Sequence, residues 1–422
     1  MIDQTSQYIV TRSRLEGRVK LSGAKNSALR LLAASILTNQ PVELKNFPAT
    51  IADGVIHIEM LNAIGKECTV DDSQVLITEP KSLTTTLKWK KRSIRNTLLI
   101  LGALVTRFGE GSVPLPGGCQ LGGRKIDLHE MLLREMGAEL WVEDEMLCAR
   151  APQGLKGAEI MLPIRSTGAT ENAIICGTLA RGITRVWNPH VRPEILDLIE
   201  YLNKMGADIK VFGQQCIEIR GVEGLNGCRH TVIADNMEAM TWIIGSVITG
   251  GDVEISNFPF DHLEVPLIFL KESGAKFYRN GNEMIVRGGS CYPIEISTGP
   301  YPGINSDMQP LFAVYGLCAK GKSHIVDLRF PGRYQYAEEF AKMNATFDVQ
   351  GNILILDGCD KLHGTDVVAA DLRAGVALAL AGFVADGETT INDGFQIDRG
   401  YDRFEEKVKS LCGNVRRVTR VE

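Results

Sequence analysis

MTWIIGSVITGGDVEISNFPFDHLEVPLIFLKESGAKFYRNGNEMIV, residues 240–286, decides the fold. It opens with a small-and-apolar run that reads as a helix, and a Gly-Gly turn follows. A short β-branched stretch reads as a strand. A second, amphipathic helical run then ends at Gly274-Ala275 and leads into more strand residues. Residues 308–356, MQPLFAVYGLCAKGKSHIVDLRFPGRYQYAEEFAKMNATFDVQGNILIL, repeat the theme. Copies start near Ala28, Asn96, Glu171, Met240, Met308 and Asp371. A period of roughly 70 residues is too long for a common solenoid unit and suits a βαβαββ unit. The expected class is α/β, with six such repeats divided three and three between two lobes.

The other copies support the same reading. Ala28–Leu37 is a strong helix former, Val42–Leu44 reads as a strand, and Val55–Ile64 carries an apolar stripe at helical spacing. Alternation in Cys216–Ile219 and Ile353–Leu356 predicts strands with one covered face. Neither element could hide its apolar face alone, so the helices are expected behind sheets. A first strand near Gln7–Leu21 precedes the first copy and could pair in either lobe.

Bulk properties exclude several classes. A formal charge of -5 gives no reason to expect nucleic acid as the partner. The start MIDQTSQYIV has neither a basic nor an apolar leader segment, and no apolar run reaches the ~20 residues that span a bilayer. Ten scattered cysteines form no CxxC pair, and Cys68, Cys148, Cys176, Cys318 and Cys412 in or beside apolar runs are expected to be buried thiols. The expectation is a soluble, cytoplasmic protein with small-molecule substrates. No HExxH, EF-hand loop or P-loop is present, and His57 and His262 fall in or near amphipathic helices where packing explains them. No metal or cofactor is expected.

Residues left over after the repeats cluster between units. Ser22-Gly23-Ala24-Lys25-Asn26 opens the first helix, where free N–H groups and a lysine suit an anion, although an ordinary helix-start lysine is the alternative. In PLPGGCQLGGRKID, residues 114–127, glycines and prolines surround Cys119 as a lid would, with Arg124 and Lys125 near enough to activate a thiol; a bystander cysteine remains open. Arg165-Ser166-Thr167-Gly168 precedes a helix and suits either a phosphate or a plain cap. Asp307 could cap the helix near Met308 or take a proton from a substrate hydroxyl. Arg333, Arg373 and Arg399 sit at helix edges, where converging guanidiniums would bind phosphate and carboxylate together, or form structural ion pairs.

With these motifs in order, the chain resembles the enolpyruvyl transferases over essentially its whole length, and within them the branch acting on UDP-N-acetylglucosamine in cell-wall synthesis. The resemblance rests on SGAKN at Ser22–Asn26, LPGGCxxGxRxxDLH at Leu115–His129 and STGATEN at Ser166–Asn172. DMQ at Asp307–Gln309, ADLRA at Ala370–Ala374 and DRGYxRxEEK at Asp398–Lys407 complete it. It implies a two-lobed inside-out α/β barrel-like fold, with lobes at 24–233 and at 1–23 plus 234–422, closing over the substrates. Lys25, Arg124, Arg333, Arg373 and Arg399 would hold phosphoenolpyruvate. The resemblance implies catalytic roles for Cys119, Asp307, Lys25 and Arg399: Cys119 matches the loop cysteine that protonates C3 and is the fosfomycin target, and Asp307 matches the proposed base. Asn26, Arg95, Arg124, Asp127, Ser166, Thr167, Gly168, Asp307 and Arg329 would contact the acceptor, whose hydroxyl adds to C2 before phosphate leaves.

Departures from the family pattern gather around the acceptor. The lysine usual two residues before the serine of SxGAT is Ile164, the arginine of PDRIE is missing from Ala234-Asp235-Asn236-Met237-Glu238, and a uracil-clamping Arg-Pro pair reads Arg124-Lys125. The usual FENRF reads Phe330-Pro331-Gly332-Arg333-Tyr334, after an unexpected Arg329. UDP-N-acetylglucosamine is still the expected acceptor, and another nucleotide such as UMP in nucleoside-antibiotic synthesis is the alternative that these departures keep open. A non-catalytic nucleotide-binding protein of this fold is the alternative from another class.

Overall fold

The computed structural model describes residues 6–115, 126–359 and 361–419. The chain divides into two compact units. One comprises Gly23–Ala49 and Asp53–Ile233, and the other Met1–Ser22, Thr50–Ala52 and Ala234–Glu422. Each is built around three helices that are buried on nearly every face. In the first unit these are Lys25–Ala34, Thr97–Phe108 and Thr167–Thr178. In the second they are Asn236–Ile248, Gln309–Leu317 and Leu372–Val384. Thr97–Phe108 packs on both its partners, as does Leu372–Val384 in the other unit. Each unit has its own apolar core.

Sheets cover these helices. The sheet that serves Gln309–Leu317 shows the common plan. Glu295–Ser297 leads into the helix and pairs parallel with Lys322–Val326, the strand after it. Lys322–Val326 then pairs antiparallel with Ile353–Asp357, whose hairpin partner is Thr346–Gln350. Between Lys322–Val326 and the hairpin runs an amphipathic helix, Gln335–Lys342. The described residues form six sheets, five of four strands and one of three, so each copy is a βαβαββ unit and each lobe an inside-out α/β barrel with helices within.

The first helix starts earlier than its composition suggests. It runs Lys25–Ala34 and tightens into a 3-10 turn at Ser35–Leu37, because Ala24 at its start offers no capping side chain to mark the boundary. The expected first strand is two strands in different sheets. Ser6–Thr11 sits between Glu388–Asn392 and Asn414–Thr419, and Glu16–Lys20 pairs parallel with Asp252–Ser256. Both sheets belong to the unit that contains the C-terminus. Conversely, Cys228–Thr231 pairs with Val42–Lys45. Each unit is thus closed by a strand distant in sequence. Cys148 and Cys176 are buried as expected, Cys68 and Cys318 are half-buried, and Cys412 is exposed in the turn after the Phe404–Ser410 helix.

Candidate active site

In the unit that holds the C-terminus, the site grows from helix starts. Asp371 caps the Leu372–Val384 helix, its Oδ1 accepting from the N–H groups of Arg373 and Ala374 at 2.8 and 2.9 Å. Its other oxygen accepts from Arg333 Nη2 at 3.1 Å. Arg333 Nη1 donates to Asp307 Oδ1 at 3.0 Å, so one guanidinium joins two carboxylates. Arg333 is 4% exposed, and burial alone would favour its neutral form; the two carboxylates more than offset that and keep it charged. Arg373 Nε lies 3.7 Å from Asp307 Oδ2, and its guanidinium sits over the Tyr401 ring at 5.5 Å.

Asp307 does not cap the helix. It lies in the 3-10 turn Ser306–Met308, where Asn305 Oδ1 accepts from the Asp307 N–H at 3.1 Å and so takes the capping role. The Asp307 carboxylate is left for the arginines, with about a quarter of its side chain exposed. Arg399 follows the short helix Phe395–Asp398 and donates to Gln396 Oε1 at 3.1 Å. A Cβ on Gly400 would meet Leu372 Cδ1 at 2.3 Å, so glycine is what lets this segment lie against the Arg373 helix and bring Tyr401 over the guanidinium. Lys407, the last residue of that motif, is spent on structure: it pairs with buried Glu238 at 2.5 Å. Arg329 is exposed, on the loop that carries Arg333.

The other unit also presents helix starts, differently furnished. Lys25 opens its helix and forms an ion pair with Asp53 at 2.7 Å, both side chains under a tenth exposed. The turn before it packs tightly, since a Cβ on Gly23 would fall 1.9 Å from the Asn46 carbonyl. Asn26 is half-buried beside it. Ser166 caps the Thr167–Thr178 helix by accepting from Ala169 N–H at 3.4 Å, so the plain-cap reading holds there. Ser166, Thr167 and Gly168 nonetheless remain half-buried, and Thr167 Oγ1 shares a hydrogen bond with His190 Nδ1 at 2.8 Å. Asp127 is exposed at the first position of Asp127–Glu135, and Arg95 is half-buried just before Thr97–Phe108.

Sequence reasoning missed several participants. His129 lies beside Gly168 and pairs with Asn172 through Nδ1 at 3.1 Å; burial, then the charge of Arg95, push its pKa down to about 3, so the ring stays neutral. The motif DLH contained it, but a lone histidine in an amphipathic run gives no signal. The Arg30–Glu171 pair joins the Lys25–Ala34 and Thr167–Thr178 helices, and the Arg192–Glu194 pair opens Pro193–Lys204 in the same unit. Glu194 would be raised by burial, yet the Arg192 guanidinium holds it below the usual carboxylate range. Cys119 and Arg124 lie outside the described residues. Among the described residues, no group of three or more His, Cys, Asp or Glu side chains is disposed to hold a metal, and no helix is long and apolar enough to cross a membrane.

The arginine-clamped carboxylate of one unit and the helix starts of the other are each a setting suited to an anionic ligand. Residues 9–408 match the family EPSP synthase (3-phosphoshikimate 1-carboxyvinyltransferase). The chain is 39% identical over 412 residues to UDP-N-acetylglucosamine 1-carboxyvinyltransferase 2 of Carboxydothermus hydrogenoformans, covering 97% of this chain and 98% of that protein. It is 38% identical over 417 residues to UDP-N-acetylglucosamine 1-carboxyvinyltransferase of Caulobacter vibrioides, covering 97% of each. Among solved structures, the enolpyruvyl transferase NikO from Streptomyces tendae superposes with a TM-score of 0.88 at 24% identity, covering 99% of both chains. EPSP synthase from Acinetobacter baumannii superposes at 0.74 and 18% identity, covering 98% of this chain and all of that one. At these identities the two structures speak to the fold.

Proposed function

The chain belongs to the EPSP synthase family and is an enolpyruvyl transferase, and we propose that its acceptor is a uridine nucleotide simpler than UDP-N-acetylglucosamine, with UMP as the type. The observation that carries this is Ile164. It is an apolar side chain, 47% exposed, just before the start of the Thr167–Thr178 helix, where the family pattern calls for a lysine. A cation lost beside half-buried hydroxyls and helix N–H groups lowers the positive charge available to a nucleotide diphosphate and leaves a site suited to a smaller anion. Asn236 stands likewise where an arginine is usual.

The chemistry proposed follows from the charged groups. Arg333 and Arg373 take the carboxylate of phosphoenolpyruvate, and Lys25, Arg124 and Arg399 take its phosphate. Asp307 accepts the proton of the acceptor hydroxyl as the new O–C2 bond forms, and Cys119 delivers a proton to C3. The C2–O bond to phosphate then breaks, C3 gives up a proton, and the enol ether is restored. Arginines beside the departing phosphate stabilise charge where it develops. Acceptor contacts are assigned to Asn26, Arg95, Arg124, Asp127, Ser166, Thr167, Gly168, Asp307 and Arg329.

A second reading has its own support: the curated relatives at 38–39% identity carry the name UDP-N-acetylglucosamine 1-carboxyvinyltransferase. Phosphate release from phosphoenolpyruvate with UMP, UDP, UDP-N-acetylglucosamine and shikimate 3-phosphate, with product masses, separates the two. A carboxyvinyl-UMP product is expected. Turnover with UDP-N-acetylglucosamine alone would overturn the UMP assignment.

A further inference from the structure

A single fully buried carboxylate links the turn that bears Asp307 to the loop that bears Arg333. Asp327 follows the strand Lys322–Val326 and is 0% exposed. Its Oδ1 accepts from Thr298 Oγ1 at 2.9 Å and from the N–H groups of Arg329 and Phe330 at 2.8 and 2.9 Å. Its Oδ2 accepts from Ser306 Oγ at 2.5 Å and from Gln309 Nε2 at 3.2 Å. Five donors therefore converge on one anion, each bond charge-assisted in a dry setting.

The two oxygens serve different elements. The Oδ1 side folds the loop that begins at Leu328, and the Asp327 N–H closes that loop by donating to Tyr334 Oη at 2.9 Å. The Oδ2 side grips residues flanking Asp307. Ser306 Oγ gives its proton to Asp327 and accepts from Arg333 Nη1 at 3.3 Å, while Gln309 Nε2 also reaches the Arg333 carbonyl at 3.3 Å. Tyr336 Oη fixes the far end of Gln309 at 2.5 Å.

We propose that Asp327 is a positioning residue that sets Asp307 and Arg333 in one geometry, so that base and carboxylate clamp are aligned together. The kinetic half of this rests on the enolpyruvyl-transfer reading above. An asparagine separates the two oxygens. Its carbonyl can keep the three Oδ1 donors, but its NH2 faces the Gln309 amide N–H, which cannot accept, and removes the acceptor of the Ser306 hydroxyl hydrogen, so at most one bond replaces the two made by Oδ2. Asp327→Asn thus spares the loop and weakens the tie to the Asp307 turn.

The test compares wild type and Asp327→Asn by steady-state kinetics and by amide hydrogen exchange. The variant is expected to raise KM for phosphoenolpyruvate and lower kcat, each by about tenfold. Simple loss of folded enzyme would lower apparent kcat and leave both KM values alone, and that pattern overturns the proposal. Exchange does not depend on the reaction. Faster exchange at the Asp307 and Met308 amides with wild-type protection at Arg329 and Phe330 is expected, and unchanged exchange at Asp307 and Met308 overturns the coupling. If wild type turns over no acceptor, the functional reading fails while exchange still decides the role of Asp327.

Discussion

The two units repeat one plan and differ at their helix starts. In the unit with the C-terminus, carboxylates occupy them: Asp235 and Asp371 cap two of the buried helices, and Asp307 lies in the turn before the third. In the other, the first turns of the three buried helices hold no acidic residue, and their starts carry Ala24, Asn96 and Ser166. A helix N-terminus attracts negative charge. One unit has supplied that charge from its own sequence and used it to hold Arg333 and Arg373; the other leaves the field for a substrate's anion, with Lys25, Ser166 and Thr167 beside it. One duplicated plan thus carries its own carboxylates at the buried-helix starts of one half and none at those of the other.

Breaking the first half should have the largest effect. Asp307→Asn removes the proposed proton acceptor while keeping its size, and turnover should fall by about 10²- to 10⁴-fold, measured as phosphate release. If Asp307 were only a helix-start residue, turnover would change little. Next comes Arg333→Ala, which strands two carboxylates around a buried void and should cost about 3–5 kcal/mol in urea unfolding. Arg12→Ala sharpens the contrast. Its pair with Asp386 is largely exposed, and its loss should cost under about 1 kcal/mol by the same measurement.

Acid should discriminate the halves too. His57 and His129 both belong to the unit whose three buried helices lack acidic first turns, and burial, then Arg30 and Arg95 respectively, lower each from 6.5 to about 3. They are neutral in the fold but take up protons when it opens. Their contribution is therefore complete above about pH 6.5 and is lost as pH falls toward 3, by up to about 1.4 kcal/mol per pH unit for each ring. Chemical denaturation across that range should show the slope, and His57→Phe should flatten it. Smallest is Ile164→Lys, which restores a cation at an exposed position and should raise kcat/KM for UDP-N-acetylglucosamine by up to roughly fivefold relative to UMP. No change would remove Ile164 from the specificity account.

Much of the fold was legible because the buried helices are rich in small and apolar residues, as in Leu372–Val384, and the strands alternate, as in Ile353–Asp357. Boundaries were legible only where a capping side chain marked them. Asp371 fixed the start of its helix, whereas Ala24 let the first helix begin three residues before the expected Ala28. At the site, Asp307 looked like a cap because a carboxylate before an apolar helix ordinarily is one. The competing cap, Asn305, lies only two residues away and could not be ranked without coordinates. Asp327 gave no signal at all. Its five donors come from residues 298, 306, 309, 329 and 330, and only folding gathers them.

The most direct test of the acceptor assignment is a competition. Limiting phosphoenolpyruvate is supplied with equal UMP and UDP-N-acetylglucosamine, and the two carboxyvinyl products are counted by mass spectrometry. Product on UMP in clear excess is the predicted result, while product only on UDP-N-acetylglucosamine would contradict it and make Ile164 and Asn236 tolerated variation.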